Sequence, residues 1–242
     1  MFHRGVAVFA ITRQGVETAA KIGDILTRKN IGYRIFASEK YAKKGVIPLN
    51  KKVGESVREV FSDVDAIVAV MATGIIVRTI APLLKSKISD PAVVCIDASG
   101  RYAISLLSGH YGGANELTKL IAEGLGAVPV VTTASDVMGK VSADELARKL
   151  CCTIVNPESL VAVNSALVNG ERLVLVLSGT VKIPVDKVVG YKIRTVKDIE
   201  QATEVVNGFD AGVIITNEDI PHDKIKKPVT VLKPQTIAVG IG

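Results

Sequence analysis

The sequence lacks tryptophan, and aromatic residues make up only 4% of its 242 residues. Few side chains are therefore available on which nucleic-acid bases could stack. Cysteine is also scarce. Cys95, Cys151 and Cys152 have neither the CxxC spacing of a zinc site nor the even number of a disulfide framework. We expect reduced thiols in a cytoplasmic protein that holds no metal ion.

Long apolar segments are missing as well. The longest stretch without Asp, Glu, Lys or Arg, from Tyr102 to Asn115, is about fourteen residues, fewer than the roughly twenty of a membrane-spanning helix. The N-terminus has no long apolar segment that ends in a small-residue cleavage site. The sequence predicts no membrane span and no secretion signal.

Several catalytic fingerprints are also absent. No strand is followed by GxGxxG, and the chain contains no GxxxxGK[ST], GxSxG or HExxH. Dinucleotide, P-loop, serine-hydrolase and zincin chemistry are therefore not indicated. An enzyme with this sequence would rely on acid–base chemistry and on binding.

The net charge of +6 is unevenly distributed. Residues 1–52 contain eleven Lys and Arg against three Asp and Glu, a net charge of +8, whereas the remaining residues carry −2. A basic segment attracts polyanions. Nucleic acid is one such partner, but the shortage of aromatics argues against it. A small ligand with several carboxylates fits at least as well, and an ordinary charged surface is the third interpretation.

Short apolar runs alternate with helix-length amphipathic segments through residues 1–135. Almost wholly apolar strands are typical of a mostly parallel sheet that is covered on both faces. Strands 92–96 and 102–107 are the expected antiparallel exception. We predict an α/β fold with a mostly parallel, Rossmann-like sheet and helices on both faces, followed by a second, smaller α/β domain. The first domain is placed at 1–138 and the second at 139–235.

Some local elements are predicted in more detail. Residues 38–52 are expected to form a basic loop and residues 75–84 a helix. A helix is expected to begin at Asn156-Pro157, and another to cover 196–206.

A first candidate binding loop is Met71-Ala-Thr-Gly74, which opens the helix that carries Arg78. Backbone N–H groups at a helix start suit an anionic ligand, which makes Thr73, Gly74 and Arg78 candidate binding residues. A turn that simply needs glycine is the alternative.

A second candidate is Leu106-Leu-Ser-Gly-His-Tyr-Gly-Gly-Ala-Asn115. An unperturbed imidazole titrates near neutrality, and His110 is flanked by glycines that let a substrate approach, as a general acid or base requires. The alternative is a histidine that is hydrogen-bonded within a loop. The candidate substrate-binding residues around it are Ser108, Gly109, Gly112, Gly113 and Asn115.

A third polar cluster follows the strand at Val128, with the sequence Thr132-Thr-Ala-Ser-Asp136. Thr132, Thr133 and Ser135 are candidate ligand contacts and Asp136 is a candidate proton acceptor, unless the cluster only caps the next helix. Asp90 and Asp97 are expected to have local roles in turns. His3 and His222 are expected to be solvated.

Four motifs, in order, go beyond generic patterns. They are Gly74-Ile-Ile-Val-Arg-Thr-Ile-Ala-Pro-Leu-Leu84, Asp90-Pro-Ala-Val-Val94, Leu106-Leu-Ser-Gly-His-Tyr-Gly-Gly-Ala-Asn115 and Pro129-Val-Val-Thr-Thr-Ala-Ser-Asp136. Together they resemble the CbiG family of cobalamin biosynthesis, the cobalt-precorrin-5A hydrolases. Residues from about 140 to 220 are similar to the middle region of that family.

The resemblance implies an enzyme of anaerobic vitamin B12 synthesis. Members of the family open the δ-lactone of cobalt-precorrin-5A and release C20 as acetaldehyde, giving cobalt-precorrin-5B. The implied partner is this cobalt-corrinoid polycarboxylate, and no cofactor is expected because cobalt is part of the substrate. No nucleic acid or membrane partner is expected. A homodimer and contacts with other enzymes of the pathway are left open.

Within this resemblance His110 is the expected base, and the N–H groups of Gly112 and Gly113 are expected to stabilise the oxyanion. His110 or Asp136 is expected to assist the later C–C cleavage. Residues 236–242 resemble the start of a further, missing C-terminal domain. The alternative function is therefore a non-catalytic corrinoid-binding module or carrier whose chemistry needs that domain.

Overall fold

The computed structural model describes residues 2–179, 181, 188–220 and 224–235. They form two compact units, the first ending at Thr132 and the second beginning at Thr133. The expected start of a further domain at 236–242 lies outside the described residues.

The first unit is built on a seven-stranded sheet. Its strands are β1 (Val6–Ala10), β2 (Tyr33–Ser38), β3 (Val46–Leu49), β4 (Ala66–Val70), β5 (Ala92–Ile96), β6 (Tyr102–Leu107) and β7 (Val128–Val130). Across the sheet the order is β3-β2-β1-β4-β5-β6-β7. All neighbours are parallel except β5 and β6, the pair that the sequence predicted to be antiparallel.

Four helices cover this sheet: α1 (Arg13–Arg28), α2 (Val53–Val60), α3 (Thr73–Ile80) and α4 (Ala114–Leu125). Alternate residues of a strand point to opposite faces, so β1 contributes to two cores. Val6 and Val8 pack in the cluster that contains side chains of α1 and α4. Ala7 and Phe9 pack in the cluster that contains those of α2 and α3. The central strands are therefore buried on both sides, which explains their apolar sequences.

Two local predictions in the first unit were wrong. The expected loop 38–52 contains β3, a short strand at the sheet edge, where Pro48 is tolerated because edge strands need fewer N–H donors. The helix expected to reach Leu84 ends at Ile80 and continues as a 3-10 turn, Ala81–Leu83. Pro82 causes this end because it has no N–H to donate to a helical carbonyl.

The second unit has a five-stranded sheet in the order β10-β9-β11-β12-β8. Its strands are β8 (Cys152–Ile154), β9 (Leu173–Ser178), β10 (Tyr191–Val196), β11 (Ala211–Ile215) and β12 (Val229–Pro234), and its helices are α5 (Ala134–Val137), α6 (Ala143–Lys149), α7 (Leu160–Val168) and α8 (Ile199–Asn207). Among the described strands of this second sheet, only the β12–β8 pair is antiparallel. The predicted fold class is confirmed: two α/β units with mostly parallel sheets.

Two helix starts in this unit differ from those expected. α7 begins at Leu160, after a 3-10 turn at Pro157–Ser159. α8 begins at Ile199 because the side chain of Asp198 accepts a hydrogen bond from the N–H of Gln201. The domain boundary placed at 138/139 falls just after α5 and stays a prediction.

Candidate functional site

The first sheet has a crevice where its connections change direction. From β1 the chain crosses by α1 to β2 on one side, and from β4 it crosses by α3 to β5 on the other. Open α/β sheets bind ligands at such a switch point, outside the carboxyl ends of the strands. We call the side where β1, β4 and β5 end the carboxyl edge, and the side where they begin the amino edge.

A pocket of about 550 Å³ lies at this switch point. Its lining is mainly apolar: Ile11, Val70, Met71, Ala72, Ile75, Ala98, Tyr102, Ile104 and Val130, together with Thr12, Thr73 and Asp97. Sequence reasoning found only the Met71–Gly74 part of this wall. The other contributions come from distant segments, and no single segment carries a recognisable signal for them.

Cys95 of β5 contacts the turn between β4 and α3. Its thiol donates to the Met71 carbonyl at 3.3 Å, and its Sγ lies 3.5 Å from the Thr73 hydroxyl oxygen. Burial raises the pKa of the Cys95 thiol, which keeps it neutral. Arg78 folds back so that its Nη1 donates to the Gly74 carbonyl at 3.0 Å. The structure thus brings Thr73, Gly74 and Arg78 together at the carboxyl edge.

Asp97 has the local role in a turn that the sequence indicated. Its carboxylate accepts hydrogen bonds from the backbone N–H groups of Ser99, Arg101 and Tyr102, at 2.7 to 3.1 Å. The adjacent Ala98 carbonyl accepts from the Thr18 hydroxyl of α1 at 2.7 Å. These bonds fix the pocket wall between β5 and β6.

His110 lies at the other edge of the same sheet. Val70 of β4 pairs with Ile96 of β5, and Ile96 pairs with Ala103 near the start of β6. β6 therefore runs back, and its last residue, Leu107, pairs with Val93 near the beginning of β5. Both candidate loops follow the ends of their own strands, as the sequence predicted, but the reversal of β6 separates them across the sheet.

The loop from Ser108 to Gly113 is held by its own hydrogen bonds. Ser108 has a φ of 54°, a left-handed conformation that non-glycine residues rarely adopt. Its hydroxyl donates to the Asp90 carbonyl at 3.1 Å, and its carbonyl accepts from the N–H of Ala114. The carbonyl of half-buried His110 accepts from the N–H of Gly113 at 3.0 Å. A role of that N–H at an oxyanion would first require this bond to break.

The glycines of this loop have packing reasons. A Cβ at Gly112 would lie 2.5 Å from the Ser108 Cβ, and one at Gly109 would lie 2.7 Å from the Asn115 Oδ1. Gly113 precedes α4 with a φ of 85°, which favours glycine. These contacts favour the structural explanation for the glycines over close approach of a substrate.

Asn115 and Asp90 are also occupied locally. The Oδ1 of buried Asn115 accepts from the Ser105 hydroxyl at 2.6 Å. The carboxylate of Asp90 accepts from the N–H groups of Lys85 and Ser86, which is the turn role expected for it. Asn115 therefore helps to hold β6 to α4.

The third polar cluster is divided between the units. Thr132 follows β7, which runs parallel to β6, and is exposed at the end of the first unit. Thr133, Ser135 and Asp136 belong to the second unit. There the Thr133 hydroxyl donates to Asp136 Oδ2 at 2.8 Å across the start of α5, a local arrangement of the kind that the capping alternative described.

The second sheet has its own switch point between β9 and β11, which sequence reasoning missed. The Ser178 hydroxyl at the end of β9 donates to Glu218 Oε1 at 3.4 Å, and the Glu218 N–H donates to the Thr216 hydroxyl. A Cβ at Gly179 would lie 2.6 Å from Glu218. This position presents a carboxylate, whereas the first pocket is mainly apolar.

Two remaining expectations concern single residues and the membrane. His3 is exposed, as expected, whereas His222 lies outside the described residues. No helix in the part of the chain that the structure describes has the length and apolar character to cross a bilayer.

Comparison with known families identifies both units. Residues 55–136 match the family described as cobalamin synthesis G N-terminal, and residues 141–234 match the cobalamin biosynthesis central region. Together these matches cover most of both units.

Individual proteins are similar over nearly the whole chain. The chain is 36% identical over 239 residues to a cobalt-precorrin-5A hydrolase of Salmonella typhimurium and 32% identical over 241 residues to one of Priestia megaterium. Each alignment covers 98% of this chain, which spans 65% and 64% of those relatives. A crystal structure of a cobalamin biosynthesis protein G homolog from Sulfolobus solfataricus superposes with a TM-score of 0.58 at 25% identity, covering 96% of this chain and 61% of that one.

Proposed function

This chain belongs to the CbiG family of cobalamin biosynthesis, and from that premise we propose that it takes part in the hydrolysis of cobalt-precorrin-5A. The observation that carries the proposal is its similarity over 98% of its length to relatives that bear this name. The proposed substrate is a cobalt macrocycle fringed with carboxylates. The cobalt arrives with the substrate, so no further cofactor is proposed.

The proposed reaction opens a lactone and then cleaves a carbon–carbon bond. A base takes a proton from water, the water oxygen bonds to the lactone carbonyl, and the ester C–O bond breaks to give a carboxylate and a C20 alcohol. The alcohol then loses its proton as the bond from C20 to the ring breaks, and acetaldehyde leaves. The electron pair of that bond stays on the macrocycle, which takes up a proton.

His110 is the proposed base because an imidazole accepts a proton near neutral pH. The Ser108 hydroxyl and the backbone of the Ser108–Gly113 loop make hydrogen bonds that fix the main chain of His110, which favours preorganised chemistry. Asp136 is proposed as a second proton acceptor for the cleavage step. Both roles are proposals about single side chains, and each is tested by its own variant.

The reaction is tested by measuring the release of acetaldehyde from cobalt-precorrin-5A in a coupled assay, in which reduction of the acetaldehyde oxidises NADH. We expect His110→Ala to abolish release while the substrate still binds, and Asp136→Asn to slow it. His3→Ala, an exposed histidine of the same unit, is the matched control and is expected to leave the rate unchanged. Near-normal turnover by His110→Ala would refute the assignment of the base.

A second candidate function is a non-catalytic corrinoid-binding module. One observation favours it. Asp97, the carboxylate in the lining of the switch-point pocket, already accepts hydrogen bonds from three backbone N–H groups, so it is held in its turn and is poorly placed to act as a base. Assays of this chain with and without the remaining part of the Salmonella relative, supplied as a separate polypeptide, distinguish the two functions. Acetaldehyde from this chain alone favours the hydrolase, and acetaldehyde only from the mixture favours the binding module.

A further inference from the structure

The pocket at the switch point of the first sheet combines an apolar interior with nearby hydroxyl groups. Ile11, Met71 and Ile104 contribute apolar surface, and Thr12 and Thr73 contribute hydroxyls. Ligand pockets of this kind use apolar walls for affinity and a few polar groups for orientation. The pocket therefore suits a ligand that has both an apolar body and polar substituents.

Three exposed arginines lie beside this pocket, although none of them is part of its lining. Arg13 follows Thr12 at the start of α1, and Arg78 bonds to the carbonyl of Gly74, next to Thr73. Arg101 lies over the ring of Tyr102, with its guanidinium carbon 5.7 Å from the centroid, and its Nε is 3.9 Å from Oδ2 of Asp97, which also lines the pocket. Guanidinium groups pair with carboxylates through two parallel hydrogen bonds. The pocket thus has an apolar interior and a positively charged rim.

Two helices also begin at this pocket and add to its positive potential. α1 starts after Thr12 and α3 starts after Ala72, and both of these residues line the pocket. A helix start carries partial positive charge and presents backbone N–H groups. The helix starts and the arginines therefore favour the same kind of ligand, one with several negative charges.

We infer that this pocket is the corrinoid-binding site of the first unit, where an edge of the macrocycle enters the apolar interior and its peripheral carboxylates meet Arg13, Arg78 and Arg101. This inference rests on the proposed function for the class of ligand, but not for the reaction. It assigns binding to the carboxyl edge of the sheet, whereas His110 lies at the amino edge. A corrinoid bound in this pocket would not meet His110, so the inference agrees with the corrinoid-binding module and opposes His110 as the base.

Binding of cobyrinic acid, a cobalt corrin with all of its peripheral carboxylates free, tests the inference by equilibrium dialysis. Its permethyl ester is the comparison ligand because it keeps the ring and lacks the charges. The acid is expected to bind more tightly than the ester, and added salt is expected to weaken the acid more, since charge attraction is screened. Equal affinity for the two ligands would overturn the role of the arginines.

Two variants on one helix test the location. Ile75 lines the pocket and is 37% exposed, so Ile75→Glu places a carboxylate in the wall without burying it. Val77 is 43% exposed, is not part of the lining, and provides the matched control Val77→Glu. We expect Ile75→Glu to weaken binding of the acid about tenfold through like-charge repulsion, and Val77→Glu to change it less than about twofold. Equal effects of the two variants would overturn the location.

The rim is tested with a second matched pair. Arg78 and Arg58 both lie in the last turn of an eight-residue helix, but only Arg78 adjoins the pocket. The double variant Arg78→Gln/Arg101→Gln is expected to bind the acid about fivefold more weakly, and Arg58→Gln is expected to bind it normally. Absence of binding by the unmodified chain would overturn the inference as a whole.

The inference and the proposed reaction can fail independently. A chain that binds cobyrinic acid with the expected sensitivity at Ile75 but releases no acetaldehyde would refute the reaction and support the inference. A chain that releases acetaldehyde but binds corrinoid equally well after Ile75→Glu would refute the inference and support the reaction.

Discussion

The two edges of the first sheet differ in how their polar groups are used. At the amino edge, Arg4 donates its backbone N–H and its Nε to the carboxylate of Asp65, which joins the segments that enter β1 and β4. Asp90, Ser108 and Asn115 are likewise bonded to neighbouring chain segments. At the carboxyl edge there is a pocket, and three exposed arginines lie beside it without being part of its lining. The named groups of the amino edge are engaged in local hydrogen bonds, whereas the carboxyl edge has space for a ligand.

The second sheet has the same kind of arginine–aspartate pair at the edge where its parallel strands begin. Arg172, just before β9, donates its backbone N–H and its guanidinium to Asp210, just before β11. β9 and β11 are parallel neighbours, as β1 and β4 are in the first sheet. An arginine and an aspartate at the entrances of two adjacent parallel strands therefore have a structural explanation in both units, and ionisable residues in such positions are weak evidence for catalysis.

The largest expected effect is on the free energy of unfolding, and it differs between a glycine of the amino edge and a glycine of the carboxyl edge. Gly112→Ala places a Cβ 2.5 Å from the Ser108 Cβ and 2.8 Å from its carbonyl oxygen, so we expect a loss of about 2 kcal/mol in the free energy of unfolding. Gly74→Ala meets only the flexible end of Arg78 and lies in a helix, so a gain of about 0.5 kcal/mol is expected. Urea denaturation followed by circular dichroism measures both. Equal changes in the free energy of unfolding for the two variants would contradict the difference between the edges.

A smaller effect is expected at Asn115. Asn115→Ala removes the acceptor of the Ser105 hydroxyl in a buried position, which we expect to cost about 1.5 kcal/mol in the free energy of unfolding. Ser105→Ala combined with Asn115→Ala is expected to cost less than the sum of the single changes, because the bond is lost only once. Thr132→Ala, at an exposed position, is the control. A stable Asn115→Ala protein with weakened corrinoid binding would instead support a binding role.

The smallest expected effect concerns the ion pair of the second unit. Hydrogen bonds from the Arg172 side chain and backbone lower the pKa of Asp210 from an ordinary value near 3.8 to about 2. Since the folded pKa lies below the unfolded one, the pair stabilises the fold above about pH 4, and this contribution is lost as the pH falls towards 2.

Substitution of Arg172 tests this pair. In Arg172→Leu we expect the pKa of Asp210, followed by the NMR shift of its carboxyl carbon, to return towards 3.8. Lys227→Gln removes a weaker charge interaction with the same carboxylate and is expected to shift the pKa much less. An unchanged pKa in Arg172→Leu would show that the pair does not hold this edge.

Much of the fold could be predicted because its signals are local. The apolar runs of β1, β4 and β5 reflect burial on both faces, and the β5–β6 pair was correctly expected to be antiparallel. β3 and β8 were missed because short edge strands carry little apolar pattern. The end of α3 was misplaced although Pro82 was visible, since the apolar pattern continued beyond it.

The candidate sites were less predictable because they depend on contacts between distant residues. The motifs with Thr73 and His110 were recognised from the sequence, and so was the family. Their positions at opposite edges follow from the direction of β6, which runs antiparallel to β5. The packing of Gly109 and Gly112 against Asn115 and Ser108 was likewise visible only in three dimensions.

By itself, then, the sequence determined the α/β class, the membership of a family and the motifs, because apolar periodicity and residue order are properties of the chain alone. Only the tertiary structure decided which motifs lie at the same edge of the sheet. The pocket joins residues as distant as Ile11, Tyr102 and Val130, because strand order and direction set which chain segments share an edge of the sheet.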